Sequence, residues 1–250
     1  MTTTLIALTI MFQQGGAQTA AAPQEPSAGE LVFKSMERYQ KALTISGGIK
    51  MTQTAAGSTQ ITNIELDYIR PNRIYLHQIR TGTVAGEKLL IGNGTMFAYD
   101  KPEDVEGKPR FVEPTQTRNQ DLLNIGDMYL AAQRSLLNQN PIQDFAIGRR
   151  DDLAQFRDDV VSLKIDHKEK VGADDVYVLT GEWRMTKGLP TSGHFEMYIT
   201  ADGDFRRFVL REQVAVPNHP EMAPVQVTTT YDSSLKVDGD VKEELFKTIR

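Results

Sequence analysis

The sequence predicts an α+β protein dominated by one strongly curved antiparallel sheet, and three observations predict it. Tyr68-Ile69-Arg70-Pro71-Asn72-Arg73-Ile74-Tyr75-Leu76 reads as a strand, a proline-marked break and a second strand. Ile91-Gly92-Asn93-Gly94-Thr95-Met96-Phe97-Ala98-Tyr99-Asp100-Lys101-Pro102 reads as a strand, an Asn-Gly turn and an aromatic strand that stops at a proline. In the C-terminal half, segment after segment alternates apolar and polar residues, the period of a sheet with one buried face. About nine or ten strands with two or three helices follow, and a sheet of that size twists and curves.

The elements take this order. Pro23 to Pro26 is a flexible lead-in. A helix starts near Ser27, which caps it, with Glu30 three residues on completing a capping box. Val32, Met36, Tyr39 and Leu43 share one face at helical spacing, and the helix ends by Ser46-Gly47-Gly48. Ile49 to Thr54 is a strand that turns at Ala56-Gly57-Ser58. Ile64, Leu66 and Tyr68 then alternate with Asn63, Glu65 and Asp67. Arg73 to Arg80 is a strand, and Lys88 to Ile91 pairs with Thr95 to Tyr99 across Asn93-Gly94. Asp100 to Pro109 is an acidic loop, with a short strand at Arg110 to Glu113. Residues 118 to 139 change period: Leu122, Ile125, Tyr129 and Leu136 form one stripe, and Leu123, Leu130 and Leu137 a neighbouring one. This predicts a single long helix with Gly126 as its weak point. A second short helix falls near Asp151 to Phe156. Strands return with Val161, Leu163, Ile165; with Tyr177, Leu179, Gly181, Trp183; and with Phe195, Met197, Ile199. Asp202-Gly203 turns the chain into Phe205 to Val214, Val225 to Tyr231 is the last clear strand, and Val241 to Ile249 is a short helix or irregular cap. With no internal repeat and no long linker, residues 27–250 form one domain behind a 1–26 leader and lead-in.

Composition excludes several function classes. A net charge of −5, from 28 basic and 33 acidic residues, gives no electrostatic footprint for nucleic acid. The absence of cysteine removes thiolate nucleophiles, zinc–thiolate sites and iron–sulfur ligation. No H-E-x-x-H, G-x-S-x-G, P-loop or G-x-G-x-x-G pattern occurs, so no catalytic residue, metal ligand or cofactor is assigned. His167 and His194 sit at solvated strand positions, where a hydrolase using either with a nearby acid is the weakest reading. Asp151-Asp152, Asp158-Asp159 and Asp174-Asp175 are neighbours that do not face each other, and they read as turn and cap residues. Asp100, Glu103, Asp104 and Glu106 lack the ligand spacing of an EF-hand. Asn93-Gly94-Thr95 matches a glycosylation sequon, which the hairpin turn explains without glycan.

The first charged side chain is Glu25. Leu5 to Phe12 is an apolar run followed by small residues, the pattern of a short secretory segment, although no Lys or Arg precedes it. An unstructured apolar N-terminus is the alternative. If exported, the chain is expected to be a soluble periplasmic monomer.

The apolar stripes carry the functional reading. Ile64, Leu66 and Tyr68; Ile74 and Leu76; Phe97 and Tyr99; Leu163 and Ile165; and Phe195, Met197 and Ile199 form a one-sided wall. A packed core and a ligand cavity demand the same residues, so the stripes do not choose between them. The chain resembles the LolA/LolB/LppX superfamily of envelope proteins, and within it the LolA-like periplasmic proteins. The resemblance lies in the N-terminal helix, the strand, Arg70-Pro71-Asn72, and the Gly92-Asn93-Gly94-Thr95 turn leading to Phe97, Tyr99 and Pro102, and it covers roughly residues 30 to 250. It implies an unclosed antiparallel β-barrel of about 9–11 strands with helices as plug and lid. It further implies no enzymatic activity, a cavity for lipid or lipoprotein acyl chains lined by the stripes just named, and a membrane-protein partner. It makes Arg70 a candidate lid switch that hydrogen-bonds lid backbone. The pattern departs from the family at Ile69, where a lysine often precedes Arg-Pro, and at the added charge of Arg73. An envelope interaction or scaffold protein with the same fold and a filled core is the alternative.

Overall fold

The computed structural model describes residues 25–100, 124–138, 140–184, 192–214 and 223–247, with the side chains of 150–152 undescribed. The predicted strand at Arg110 to Glu113, the N-terminal secretory run and most of the acidic loop lie outside those residues.

The chain opens with α1 (Ala28–Lys41), whose Ser27 and Glu30 form the expected capping box. Among the described residues twelve strands follow: β1 (Thr44–Ser46), β2 (Gly48–Ala55), β3 (Ser58–Ile69), β4 (Arg73–Thr81), β5 (Gly86–Asn93), β6 (Phe97–Tyr99), β7 (Val160–Val171), β8 (Asp174–Arg184), β9 (Ser192–Thr200), β10 (Phe205–Val214), β11 (Val225–Ser233) and β12 (Lys236–Val237). Helices α2 (Ile125–Ala132), α3 (Pro141–Ile147) and α4 (Arg150–Asp159) fall between β6 and β7. The sheet runs β6-β5-β4-β3-β2-β11-β10-β9-β8-β7, with short β1 bridging β3 and β12. Its end strands β6 and β7 do not pair, so the sheet is curved but unclosed, as the sequence predicts.

Register sets which residues share the inner face. Leu66 lies opposite Leu76, which lies opposite Leu90, which lies opposite Tyr99. On the other wing, Leu179, Met197, Phe208 and Tyr231 stand side by side across β8, β9, β10 and β11. One continuous core joins these residues to the apolar sides of all four helices. Among the described residues no helix is long and apolar enough to cross a membrane.

Three expectations are corrected. The single helix over 118–139 is two separate helices, α2 and α3, with a 3-10 turn at Gln133–Ser135 and extended chain at Leu136 between them. The amides of Leu137 and Asn138, which a continuing helix would keep, instead donate to Gln78 Oε1 of β4 at 2.8 and 3.1 Å. Residues 118–123 lie outside the described chain. Leu43 does not join the α1 face: the helix stops at Lys41, and Leu43 is 70% exposed. Val161 is 61% exposed, because a bulge at its position gives Val160 rather than Val161 the pairing with Trp183.

Among the described residues two acids are buried, Asp67 and Asp100, and Asp67 lies on the outer face of β3. Asp67 lies opposite Tyr75 and is 6% exposed. Burial first, then the Glu65 carboxylate, push its pKa up to about 6 from an ordinary 3.8, against the pull of Lys242. A folded-state value above the unfolded one means that folding favours protonated Asp67. That contribution is complete below about pH 4 and is lost as pH rises through about 6. Asp67→Asn is therefore expected to stabilise the protein by about 2–3 kcal/mol at pH 7.5 and to change little at pH 4. Urea unfolding of both proteins at the two pH values checks this.

Candidate functional site

The apolar stripes converge on the inner wall. Ile64, Leu66 and Tyr68 of β3, Ile74 and Leu76 of β4, and Phe195, Met197 and Ile199 of β9 are buried to 2% exposure or less, and Phe97 of β6 is nearly so. Tyr99, Leu163 and Ile165 are partly buried against the same core. The wall is covered by helix side chains. Phe145 of α3 meets Phe205 edge-on at 5.1 Å between ring centroids and Phe156 of α4 at 5.2 Å. Phe156 in turn lies 6.3 Å from Phe195, which stacks on Phe208 at 5.8 Å. Met128 of α2 fills the space that the missing side chain of Gly92 leaves. Leu66, Tyr68, Ile74, Leu76, Met197 and Ile199 have no exposed surface at all, so no water-sized space lies beside them. Over these residues the hollow that the resemblance implies is thus occupied, and what occupies it belongs to the helices rather than to the sheet.

The break between β3 and β4 fastens those helices. Arg70 Nε donates to the carbonyl of Ala42 just past α1 at 2.9 Å, and its Nη2 donates to the carbonyl of Ile147 at the end of α3 at 2.9 Å. Longer bonds of 3.4 Å run from Nη2 to Tyr39 O and Tyr68 Oη, and the guanidinium lies 5.1 Å from the Tyr68 ring. Tyr68 Oη donates to Ala146 O at 2.8 Å. These bonds satisfy carbonyls that a helix C-terminus leaves without partners, and a cation there meets the negative end of the helix dipole. Gly148 makes the approach possible: it ends α3 in the left-handed region at φ 72°, and a Cβ on it would stand 3.3 Å from Arg70 Nη2.

The next three residues fasten other elements. Pro71 O accepts from Ile125 N at 2.9 Å, anchoring the start of α2. Asn72 Nδ2 donates to Gly94 O at 2.7 Å, holding the β5–β6 turn. Arg73 pairs with Glu243 at 2.6 Å and lies 5.9 Å from the Phe246 ring, holding the C-terminal 3-10 turn Glu243–Lys247. Beside Arg70 a cleft of about 380 Å³ opens between α2 and the end of α3, bordered by Asn124, Asp127, Leu130 and Arg149.

Gln78 is a site residue that the sequence reading passed over. Fully buried on the inner wall, it accepts from Leu137 N and Asn138 N and donates to Asn138 O at 2.7 Å and Gln143 Oε1 at 3.1 Å. Gln143 donates to Tyr129 Oη at 2.7 Å, and Tyr129 donates to Asp144 at 2.9 Å. A signal existed: Gln78 continues the inward alternation of Ile74 and Leu76, where an amide has to find partners.

The remaining candidates disperse. His167 is exposed between Asp166 and Glu169, whose hydrogen bonds raise its pKa. His194 stands 3.9 Å from Glu182 at the surface. His77 bonds Glu87 at 2.7 Å, and His219 lies outside the described residues. Asn93 spends its side-chain oxygen on Thr95 N and Oγ1 and on Met96 N, which caps the turn. Among the described residues no group of three or more His, Asp or Glu could hold a metal ion.

Neither a protein-family model nor a curated protein matches the chain. Solved structures similar to it include LprF from Mycobacterium bovis, at 9% identity and a TM-score of 0.45 over 86% of this chain and 94% of that one. They also include the lipoprotein LppX from Mycobacterium tuberculosis, at 10% identity and a TM-score of 0.42 over 85% and 95%. A LolA-superfamily protein from Nitrosomonas europaea matches at 12% identity and a TM-score of 0.29 over 89% and 98%. These are resemblances of fold.

Proposed function

We propose that the protein is a non-enzymatic periplasmic carrier or binder of lipid or lipoprotein acyl chains, captured here with its lid closed. The observation that carries this reading is the Arg70 bridge. One side chain on the sheet holds the ends of two different helices by their backbone carbonyls, and those helices cover an apolar wall. Such a closure opens by releasing a few hydrogen bonds.

Magnitudes make the exchange reversible. Closing the lid buries roughly five large side chains, among them Ile142, Phe145, Met128 and Tyr129. At about 1.5–3 kcal/mol each, that is on the order of 10 kcal/mol. An acyl chain of about sixteen carbons, at about 0.8 kcal/mol per CH₂, gives on the order of 12 kcal/mol when it takes their place. The two terms nearly cancel. Arg70 and the Gln78–Gln143 network, at about 1 kcal/mol net per neutral bond and more for the charged ones, are then large enough to decide between closed and loaded states.

The complete burial of Leu66, Tyr68, Ile74, Leu76, Met197 and Ile199 favours a second reading, an envelope interaction protein whose core is permanently filled. Organic-solvent extraction of the purified protein, followed by titration with an uncharged acyl-chain fluorophore, separates the two. Co-purifying lipid or saturable probe uptake is expected of a carrier. A lipid-free preparation that takes up no probe, even with Arg70 replaced by Leu, assigns the scaffold instead.

A further inference from the structure

At one end of the inner wall the lining turns polar. Trp183 of β8 and Glu212 of β10 both lie opposite Gly193 of β9, so the three stand in one row on the inner face. A Cβ on Gly193 would stand 2.9 Å from Trp183 Nε1, so the indole reaches across β9 over the glycine. With strands about 4.8 Å apart, this brings the N–H within about one strand spacing of the strand that bears Glu212. The N–H is buried and has no hydrogen-bond partner among the described residues. Among the described residues Glu212 has no ion pair either, and burial alone raises its pKa. Arg211 beside it points to the outer face, where it pairs with Glu196 at 2.6 Å. A cleft of about 360 Å³ opens at this end of the sheet, lined by Trp183, Gly193 and Glu212 and, from the neighbouring positions of the same strands, by Glu182, Arg184, His194 and Arg211. The rows adjoining it carry Gln53 and Thr229, bonded to each other at 3.4 Å, and beyond Phe195 and Met197 the wall is apolar.

A donor without a partner and a carboxylate without an ion pair in one row can be bridged by a third group that accepts from one and donates to the other. We propose that Trp183 and Glu212 form a head-group subsite for an N-acyl amide, whose C=O accepts from Trp183 Nε1 and whose N–H donates to Glu212 while its chain runs toward Phe195 and Met197. The proposal rests on the carrier reading and narrows it. An ester offers no donor to Glu212, and a carboxylate or phosphate head seated against Trp183 brings a second negative charge up to Glu212, with Arg184, His194 and Arg211 lining the cleft around it. The amide can come from an acylated peptide or from an amide-linked lipid.

Competition titrations against the uncharged acyl fluorophore, with twelve-carbon probes at pH 7.5, test this. Dodecanoyl ethanolamide is expected to bind at least tenfold more tightly than methyl dodecanoate or dodecanoate. Glu212→Gln is expected to raise dodecanoate affinity severalfold and to cut the amide's lead below threefold. Trp183→Phe, which keeps the ring contact, is expected to weaken amide and ester alike severalfold while leaving the lead of amide over ester in place, with thermal melts confirming that both variants fold. A dodecanoyl dipeptide amide that outbinds the ethanolamide identifies the acylated peptide as the source, and the reverse order identifies the lipid. Equal affinity of amide, ester and carboxylate in the unmodified protein overturns the proposal, leaving a bound water as the group between Trp183 and Glu212, and leaves the carrier reading intact. Failure of every probe, the fluorophore included, overturns both.

Discussion

Arg70→Leu is expected to lower stability by about 3 kcal/mol and to loosen α3 from the sheet before anything else unfolds. The substitution keeps much of the stem's bulk and deletes two 2.9 Å bonds from a charged donor to Ala42 O and Ile147 O. Bonds to charged groups contribute about 1.5–3 kcal/mol each, and partial solvation places the pair near the lower end. Gly148 ends α3 at φ 72° beside Ile147 O, which leaves that carbonyl open to the Arg70 guanidinium. Arg70→Lys retains the charge, but a single ammonium lacks the fork that reaches both carbonyls, so about half the loss is expected. Urea unfolding should show a lower midpoint with an unchanged slope. Amide exchange should speed up in α3 well before it does in β9 and β10, since the clasp acts on a local opening. If α3 exchanges in step with the sheet in both variants, the bridge is ordinary packing and the lid has no separate motion. For the carrier reading the same variant should take up the acyl fluorophore faster, because the closed state has lost its advantage.

Local chemistry in this chain was legible where neighbours in sequence decide it. Ser27 and Glu30 cap α1 because both partners lie within one turn. Asn93-Gly94 turns because Gly94 takes φ 99° and Asn93 caps the amides that follow. The inner and outer faces of β3, β4 and β9 followed from alternation alone. What failed was decided at a distance. The stripes over 118–139 run on past Ser135, yet Gln78, about 60 residues earlier, captures the two amides that would have continued the helix. Leu43 left the α1 face because its N–H donates to Asp238 and its carbonyl accepts from Arg70 N. Helix α3 did carry a local signal, Asn140 as cap with Pro141 at the first position, which the expectation of one long helix obscured. At the candidate site, motif resemblance singled out Arg70, while its partners Ala42 and Ile147 come from segments that no short-range pattern connects to it. Trp183 was visible as part of an alternating strand. Its relation to Glu212 was not, because it depends on the register of three strands and on a glycine between them.

Phe145→Ala is expected to have the largest effect on stability, a loss of about 3–5 kcal/mol, because the ring is buried at the junction of α3, α4 and β10. Phe145→Leu keeps part of the volume and should cost about 1–1.5 kcal/mol. The alanine variant also separates the two readings of the filled wall. Removing the ring leaves an apolar gap beside Phe205 and Phe156, and apolar gaps of this kind stay dry and accept apolar guests. If the helices are a lid over a chain-binding wall, the gap joins the path an acyl chain takes when the lid lifts, so the variant should bind the twelve-carbon amide more tightly than the unmodified protein does. Saturation at about a hundred times the dissociation constant would then return about 2.7 kcal/mol of stability. If the core is permanently filled, the gap stays an isolated chamber. It should accept a benzene-sized solute, refuse a twelve-carbon chain, and leave the urea midpoint of the variant unmoved by the amide. The carrier reading therefore requires that the least stable variant be the one the long chain rescues most.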